Sequence, residues 1–150
     1  MALFNIRVYG LLINNQNQIL VSDENIKGHF ITKFPGGGLE FGEGTMDCIK
    51  REFIEETNTK IEVLSHFYTT DLFFISAFNH TDQIISIYYL VKNIGPIQKK
   101  IATIPFDFSS NSVPTAEAIR WVNIAQLTDA DVTLPIDKIV VNMLLQQKKI

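Results

Sequence analysis

The sequence has a single cysteine, Cys48, so it can form no internal disulfide and no zinc site built on several thiolates. That usage fits a reducing compartment, and a cytoplasmic location is expected. Positive charge is not in excess either: 13 Lys and Arg stand against 16 Asp and Glu, for a net charge of -3. Without the uniform basic field on which non-specific binding rests, duplex nucleic acid is not an expected partner. The short clusters Lys99-Lys100 and Lys148-Lys149 read as solvated lysines. His29, His66 and His80 are scattered and make no Cys/His set at zinc-ligand spacing. No apolar run is long enough to span a bilayer. The opening MALFNIRVYGLLI is broken by Asn5 and Arg7 and lacks a basic leader and a cleavage site. It reads as a strand, and no membrane partner is expected.

What is present is the material of a core. Hydrophobic residues make up 46% of the 150, charged residues 19%, and Phe alone contributes 11. A chain of this size hides roughly 70% of its unfolded surface on folding. One domain over residues 1–150 is expected, without repeat or linker.

Ile6 to Ile13 is rich in β-branched and aromatic residues, and Asn14 to Asn17 supplies turn chemistry before Ile19 to Val21, which predicts a hairpin. A short strand from Phe30 to Phe34 runs into Pro35 and three glycines. From Thr45 to about Thr57 the period changes: Met46, Ile49 and Phe53 recur as on the buried stripe of a helix, with Cys48 beside them. Thr45 is the expected N-cap, with Asp47 in the first turn where the helix dipole favours negative charge. Strands follow at Ile61 to Leu64, Leu72 to Phe78 and Ile84 to Val91, the last two forming a second expected hairpin through Asn79 to Asp82. Residues 92 to 116 hold three of the five prolines and read as mostly loop. A strand at Ile119 to Val122 and a helix from Ile136 to Leu145 close the chain.

The stretch PGGGLEFGEGTMDCIKREFIEETN, residues 35 to 58, gathers the glycines and a run of acids. On a helix, Glu52, Glu55 and Glu56 stand at i, i+3 and i+4, so like charges emerge within one turn and repel. A solvated face would tolerate them. Here Ile49 and Phe53 occupy the neighbouring face and Glu43 precedes the helix, so four carboxylates can converge. A hard divalent cation that prefers oxygen ligands, magnesium or manganese, would stabilise that cluster. Residues without side chains let backbone groups approach a phosphate or a metal, which points to a phosphorylated substrate.

Gly37, five residues, Glu43, seven residues, then Arg51-Glu52, Phe53, Ile54 and Glu55-Glu56 resembles the signature box of the Nudix hydrolases, matching it at seven positions. Asn58 and Thr59 depart from it, standing where that family has a glycine and an aliphatic residue. Asn tolerates a left-handed helix end, and Ile61 can take over the packing. The resemblance implies a Nudix-type α/β/α sandwich with a mixed β-sheet, and metal-assisted attack of water on a diphosphate linkage in a nucleoside diphosphate derivative. It implies Glu52, Glu55 and Glu56 as metal ligands with the Gly36 carbonyl, and Glu43 directly or through water. Gly36, Gly37 and Gly38 would meet the substrate. Arg51 joins the catalytic set, and its place one turn from Glu55 favours an ion pair that orients the carboxylates. Glu117 is the candidate general base and Glu40 its competitor. The subfamily marks for ADP-ribose, dinucleoside polyphosphate and coenzyme A hydrolases are missing. A base or sugar could stack on Phe4, Tyr68, Phe73, Phe74, Tyr88 or Phe106, and residues 92 to 116 could form a specificity loop. A homodimer is in keeping with the resemblance. The alternative is a binding module of the same fold that senses a nucleotide without turnover.

Overall fold

The computed structural model describes residues 3–110 and 117–147. Lys148 and Lys149, and part of the 92 to 116 stretch, lie outside the described residues. Strand β1 (Leu3–Leu12) is followed by β2 (Gln18–Ile26), β3 (His29–Lys33) and β4 (Gly36–Gly38). Helix α1 (Thr45–Thr57) leads to β5 (Ile61–Thr69), β6 (Asp82–Asn93), β7 (Ile101–Ala102) and β8 (Glu117–Asn123), and α2 (Pro135–Gln147) closes the fold.

The chain forms the expected α/β/α sandwich, with its β layer divided into two four-stranded mixed sheets, β4-β1-β6-β5 and β3-β2-β8-β7. β1 runs parallel to β6 over its whole length and antiparallel to β4. A strand covered on both faces reads as a near-continuous apolar run, which Val8 to Ile13 is. α1 packs over a cluster containing Val8, Leu12, Ile49, Phe53 and Val91, while Val140, Val141 and Leu144 of α2 pack with Leu11, Val21 and Tyr88. Fully burying a side chain such as Phe53 contributes about 1.5–3 kcal/mol.

Several expectations are corrected. The predicted hairpin of β1 and β2 reduces to one bridge between Ile13 and Ile19, because both strands find better-covered partners in different sheets. Asn14 and Asn17 instead make a corner: the Asn14 side chain accepts from the Gln16 and Gln18 amides, and Asn17 takes φ 61°. The predicted strand at Leu72 to Phe78 is irregular, with a single bridge from Ile75 to Gln83. β6 pairs antiparallel with β5 instead, from Ile61 opposite Asn93 to Thr69 opposite Ile87.

Thr45 is the first helical residue and not the N-cap, which is Gly44. Its hydroxyl lies 2.6 Å from that of Tyr89. Asp47 does stand in the first turn. Met46 is exposed, outside the buried stripe that Cys48, Ile49 and Phe53 form. Asn58 ends α1 in the left-handed region, at φ 51° and ψ 39°, its amide bonded to the Ile54 carbonyl, and the buried Ile61 packs in the α1 cluster. Beyond the end of β6, the described part of the 92 to 116 stretch, 94–110, is irregular as expected apart from β7 and one turn of 3-10 helix at Phe108–Ser110.

Candidate active site

The three glycines form β4, an edge strand laid against Arg7 to Tyr9 of β1, and not an open loop. Their first requirement is therefore steric. At Gly36, φ +150° and the Val8 carbonyl leave no room for a Cβ, and at Gly37 a Cβ would stand 2.5 Å from Glu52 Oε1. The missing side chains bring the carboxylate face of α1 directly against β4.

Arg51 organises that face. Its Nε and Nη2 donate to the two oxygens of Glu43 at 2.9 and 2.7 Å, a bidentate pair. Nη1 reaches Glu52 at 3.1 Å and Glu55 at 3.2 Å, and Nη2 also donates to the Gly38 carbonyl at 3.0 Å. Those bonds hold the Glu43 carboxyl down at about 2, so it is charged at neutral pH. This is the orienting ion pair expected for Arg51. Burial pushes the Cys48 thiol up to about 12, so it stays protonated.

Glu55 is exposed, whereas Glu52 and Glu56 are both mostly covered. Glu56 Oε2 accepts from the Gly36 amide at 3.0 Å, and its Oε1 lies 3.5 Å from Lys33 Nζ. Burial pushes its carboxyl up to about 7 against the pull of Lys33. Lys33 is itself buried and lies 3.1 Å from Glu24 and 3.1 Å from the Gly36 carbonyl. Burial works against its charge, yet Glu56 and Glu24 outweigh it and Lys33 is held above the usual lysine range.

Glu117 stands directly opposite Glu24 in the β2–β8 ladder, half-buried. Burial, then Glu24, raises its carboxyl above the ordinary range. Glu117 thus joins the same sheet face as Glu24 and Lys33. Glu40 projects outward, 3.7 Å from Arg51.

Between the sheets lies a cavity of about 380 Å³. β1 contributes Arg7 and Tyr9, the second sheet Glu24 and Lys33, and Phe74, Phe78 and Tyr88 supply aromatic wall. Of the residues expected to stack on a ligand, Phe74 and Tyr88 line it; Phe4 and Phe73 are exposed, and Phe106 packs on Phe30 and Phe108. Lys33 belongs to both the cavity and the carboxylate cluster and so joins them. Sequence reasoning passed over Lys33, Glu24 and Arg7. Their one signal was a charged side chain on a segment that forms a strand, Arg7 on β1, Glu24 on β2 and Lys33 on β3.

Among the described residues, no three Asp, Glu, His or Cys side chains are drawn together closely enough to hold a metal ion. The donors at this edge are nonetheless all hard oxygens, from Glu52 and Glu56 against β4, the exposed Glu55 on the same turn of α1 and the Gly36 carbonyl, a set that suits magnesium or manganese and not zinc. No described helix is long and apolar enough to cross a membrane.

The NUDIX domain family model matches residues 3–143. A NUDIX hydrolase from Nitrosomonas europaea superposes with a TM-score of 0.71 at 17% identity, over 97% of this chain and 90% of that one. The MutT protein from Bacillus halodurans gives 0.67 at 15% identity, over 93% and 80%. An ADP-ribose pyrophosphatase from Streptococcus suis gives 0.57 at 16% identity, over 89% and 81%.

Proposed function

The chain belongs to the Nudix family, and from that premise we propose that it is a metal-dependent hydrolase of a diphosphate linkage in a small nucleoside diphosphate derivative. The observation that carries the reading is the presentation of Glu52, Glu55 and Glu56 on one turn of α1, against a glycine strand, beside a cavity. Magnesium or manganese held by Glu52, Glu55, Glu56 and the Gly36 carbonyl would neutralise the diphosphate and acidify a water.

The chain's own residues do the rest. Arg51 keeps Glu43, Glu52 and Glu55 in place before any substrate arrives, so little reorganisation remains to be done. Glu43 remains ionised beside the site and can meet a metal through water. Glu117 accepts the proton from the attacking water in this scheme, its affinity for protons raised by burial and by Glu24. Gly36, Gly37 and Gly38 offer backbone to the phosphates, and the cavity takes the attached group, on a scale typical of small-ligand pockets. One similar structure is an ADP-ribose pyrophosphatase, and ADP-ribose is a nucleoside diphosphate derivative.

The test is hydrolysis of nucleoside triphosphates, nucleotide sugars, ADP-ribose, dinucleoside polyphosphates and coenzyme A with magnesium or manganese, comparing the native chain with Glu55→Gln. Turnover of one class is expected, lost on chelation and reduced about a hundredfold or more in the variant. Tight binding of a nucleotide without cleavage would instead make the chain a binding module.

A further inference from the structure

Arg7 is a partly buried cation that no described carboxylate meets in a direct ion pair. The other two arginines and the buried lysine are all paired: Arg51 with Glu43, Glu52 and Glu55, Arg120 with Asp23, and Lys33 with Glu24 and Glu56. Arg7 donates through Nε to the Tyr9 hydroxyl at 3.2 Å, and its guanidinium carbon lies 6.0 Å from the Tyr9 ring centroid. Among the described residues no carboxylate pairs with it. A guanidinium has five N–H donors in a rigid fork, and Tyr9 engages one. None of the others is sealed off from solvent, so they stay open to an anion that enters the cavity.

Its position narrows the choice. β1 aims Arg7 into the cavity, on the same face as Tyr9. Arg7 Nη1 would lie 3.4 Å from a Cβ at Gly38, while the Gly38 carbonyl is held by Arg51. The last residue of β4 thus has a guanidinium on its cavity side and another on its helix side. Glu52 and Glu56 are near enough to help hold the Arg7 charge against its burial. A diphosphate brought to these carboxylates would be repelled unless cations meet its outer oxygens, and Arg51 is already committed.

We propose that Arg7 is a substrate-binding residue that grips non-bridging oxygens of the diphosphate from the cavity side of β4, opposite the carboxylates of α1. The inference rests on the hydrolase reading of the same site and goes beyond it by assigning the anion clamp. The planar fork suits a phosphate, which can take two N–H bonds at once. Specificity follows from it: the occupant must carry an anion where the cavity meets β4, and a neutral nucleoside of the same shape gains nothing from Arg7.

The experiment titrates the native chain, Arg7→Met and Arg7→Lys with methylenediphosphonate in the presence of Mg2+, following the arginine Nε–Hε NMR signals. This readout needs no turnover. The Arg7 signal is expected to shift on binding, and affinity to fall about tenfold to a hundredfold in Arg7→Met with partial recovery in Arg7→Lys. An Arg7 signal that does not move, or an Arg7→Met affinity within twofold of native, overturns the proposal. If Arg7→Met fails to fold, the native signal and Arg7→Lys decide. Diphosphonate bound through Arg7 in a chain that cleaves nothing would sink the hydrolase reading and leave the clamp standing.

Discussion

Asp137 shows how one buried carboxyl sets a pH dependence. Its Oδ1 accepts from the Tyr88 hydroxyl at 2.5 Å, and its Oδ2 is buried with no hydrogen-bond partner among the described residues. Burial pushes the carboxyl up to about 6, against the opposing pull of Tyr88 and Lys33. A carboxyl raised on folding binds its proton more tightly in the native state, so this group's contribution is fully favourable below the ordinary aspartate value. That contribution is lost as pH rises through about 6. Asp137→Asn keeps an acceptor for Tyr88 without the charge. It is predicted to be more stable than the native chain at pH 8 by about 2 kcal/mol, with the advantage gone near pH 4. Urea unfolding at the two pH values checks this. A native chain more stable than the variant at pH 8 contradicts it.

The glycine strand and the end of α1 carry the predictions at the scale of elements. At Gly37, a methyl group would meet the far end of the flexible Glu52 side chain, which can move aside. Gly37→Ala is therefore predicted to change stability by less than about 1 kcal/mol. Turnover should fall about a hundredfold, since a carboxylate displaced by an ångström no longer meets its ligand. Steady-state kinetics beside a denaturation curve separates the two, and unimpaired turnover would show that Glu52 is not needed where it stands. At the other end of α1, Asn58 holds the left-handed turn. Asn58→Ala is expected to cost about 1–2 kcal/mol in thermal or urea unfolding, and Asn58→Gly about nothing. Equal stability of the Ala variant would mean that the turn relaxes out of that conformation.

For the molecule as a whole, the proposed metal site predicts a linkage between metal and folding, because Mg2+ would bind the assembled carboxylates and not the unfolded chain. At a concentration tenfold above its dissociation constant, the gain is about 1.4 kcal/mol. For a chain of this length that raises the melting temperature by roughly 3–6 °C. The rise should shrink in Glu52→Gln and vanish with NaCl of matched ionic strength. Melting curves that Mg2+ leaves unmoved contradict the metal assignment.

Much of this protein was legible before any coordinates. Strand and helix periods along β1, α1, β6 and α2 follow from where apolar residues recur, because one face of each element has to be covered. The spacing of Gly37, Glu43, Arg51, Glu52, Glu55 and Glu56 is likewise local, since a single helix turn and its preceding loop bring them together. Pairing was harder to read. That β1 shares no sheet with β2, and that Leu72 to Phe78 forms no strand, depends on competition among distant segments for edges, which a propensity within one segment does not encode. The cavity belongs to the same class: Arg7, Glu24 and Lys33 come from three different strands. Each alone is a charged residue on a strand, and only the stacking of two sheets turns them toward one another. The sequence by itself determined the carboxylate turn, its orienting arginine and the class of fold, because those rest on local geometry. The tertiary structure alone decided which cations face those carboxylates, because burial and long-range pairing choose where a buried charge finds its partner.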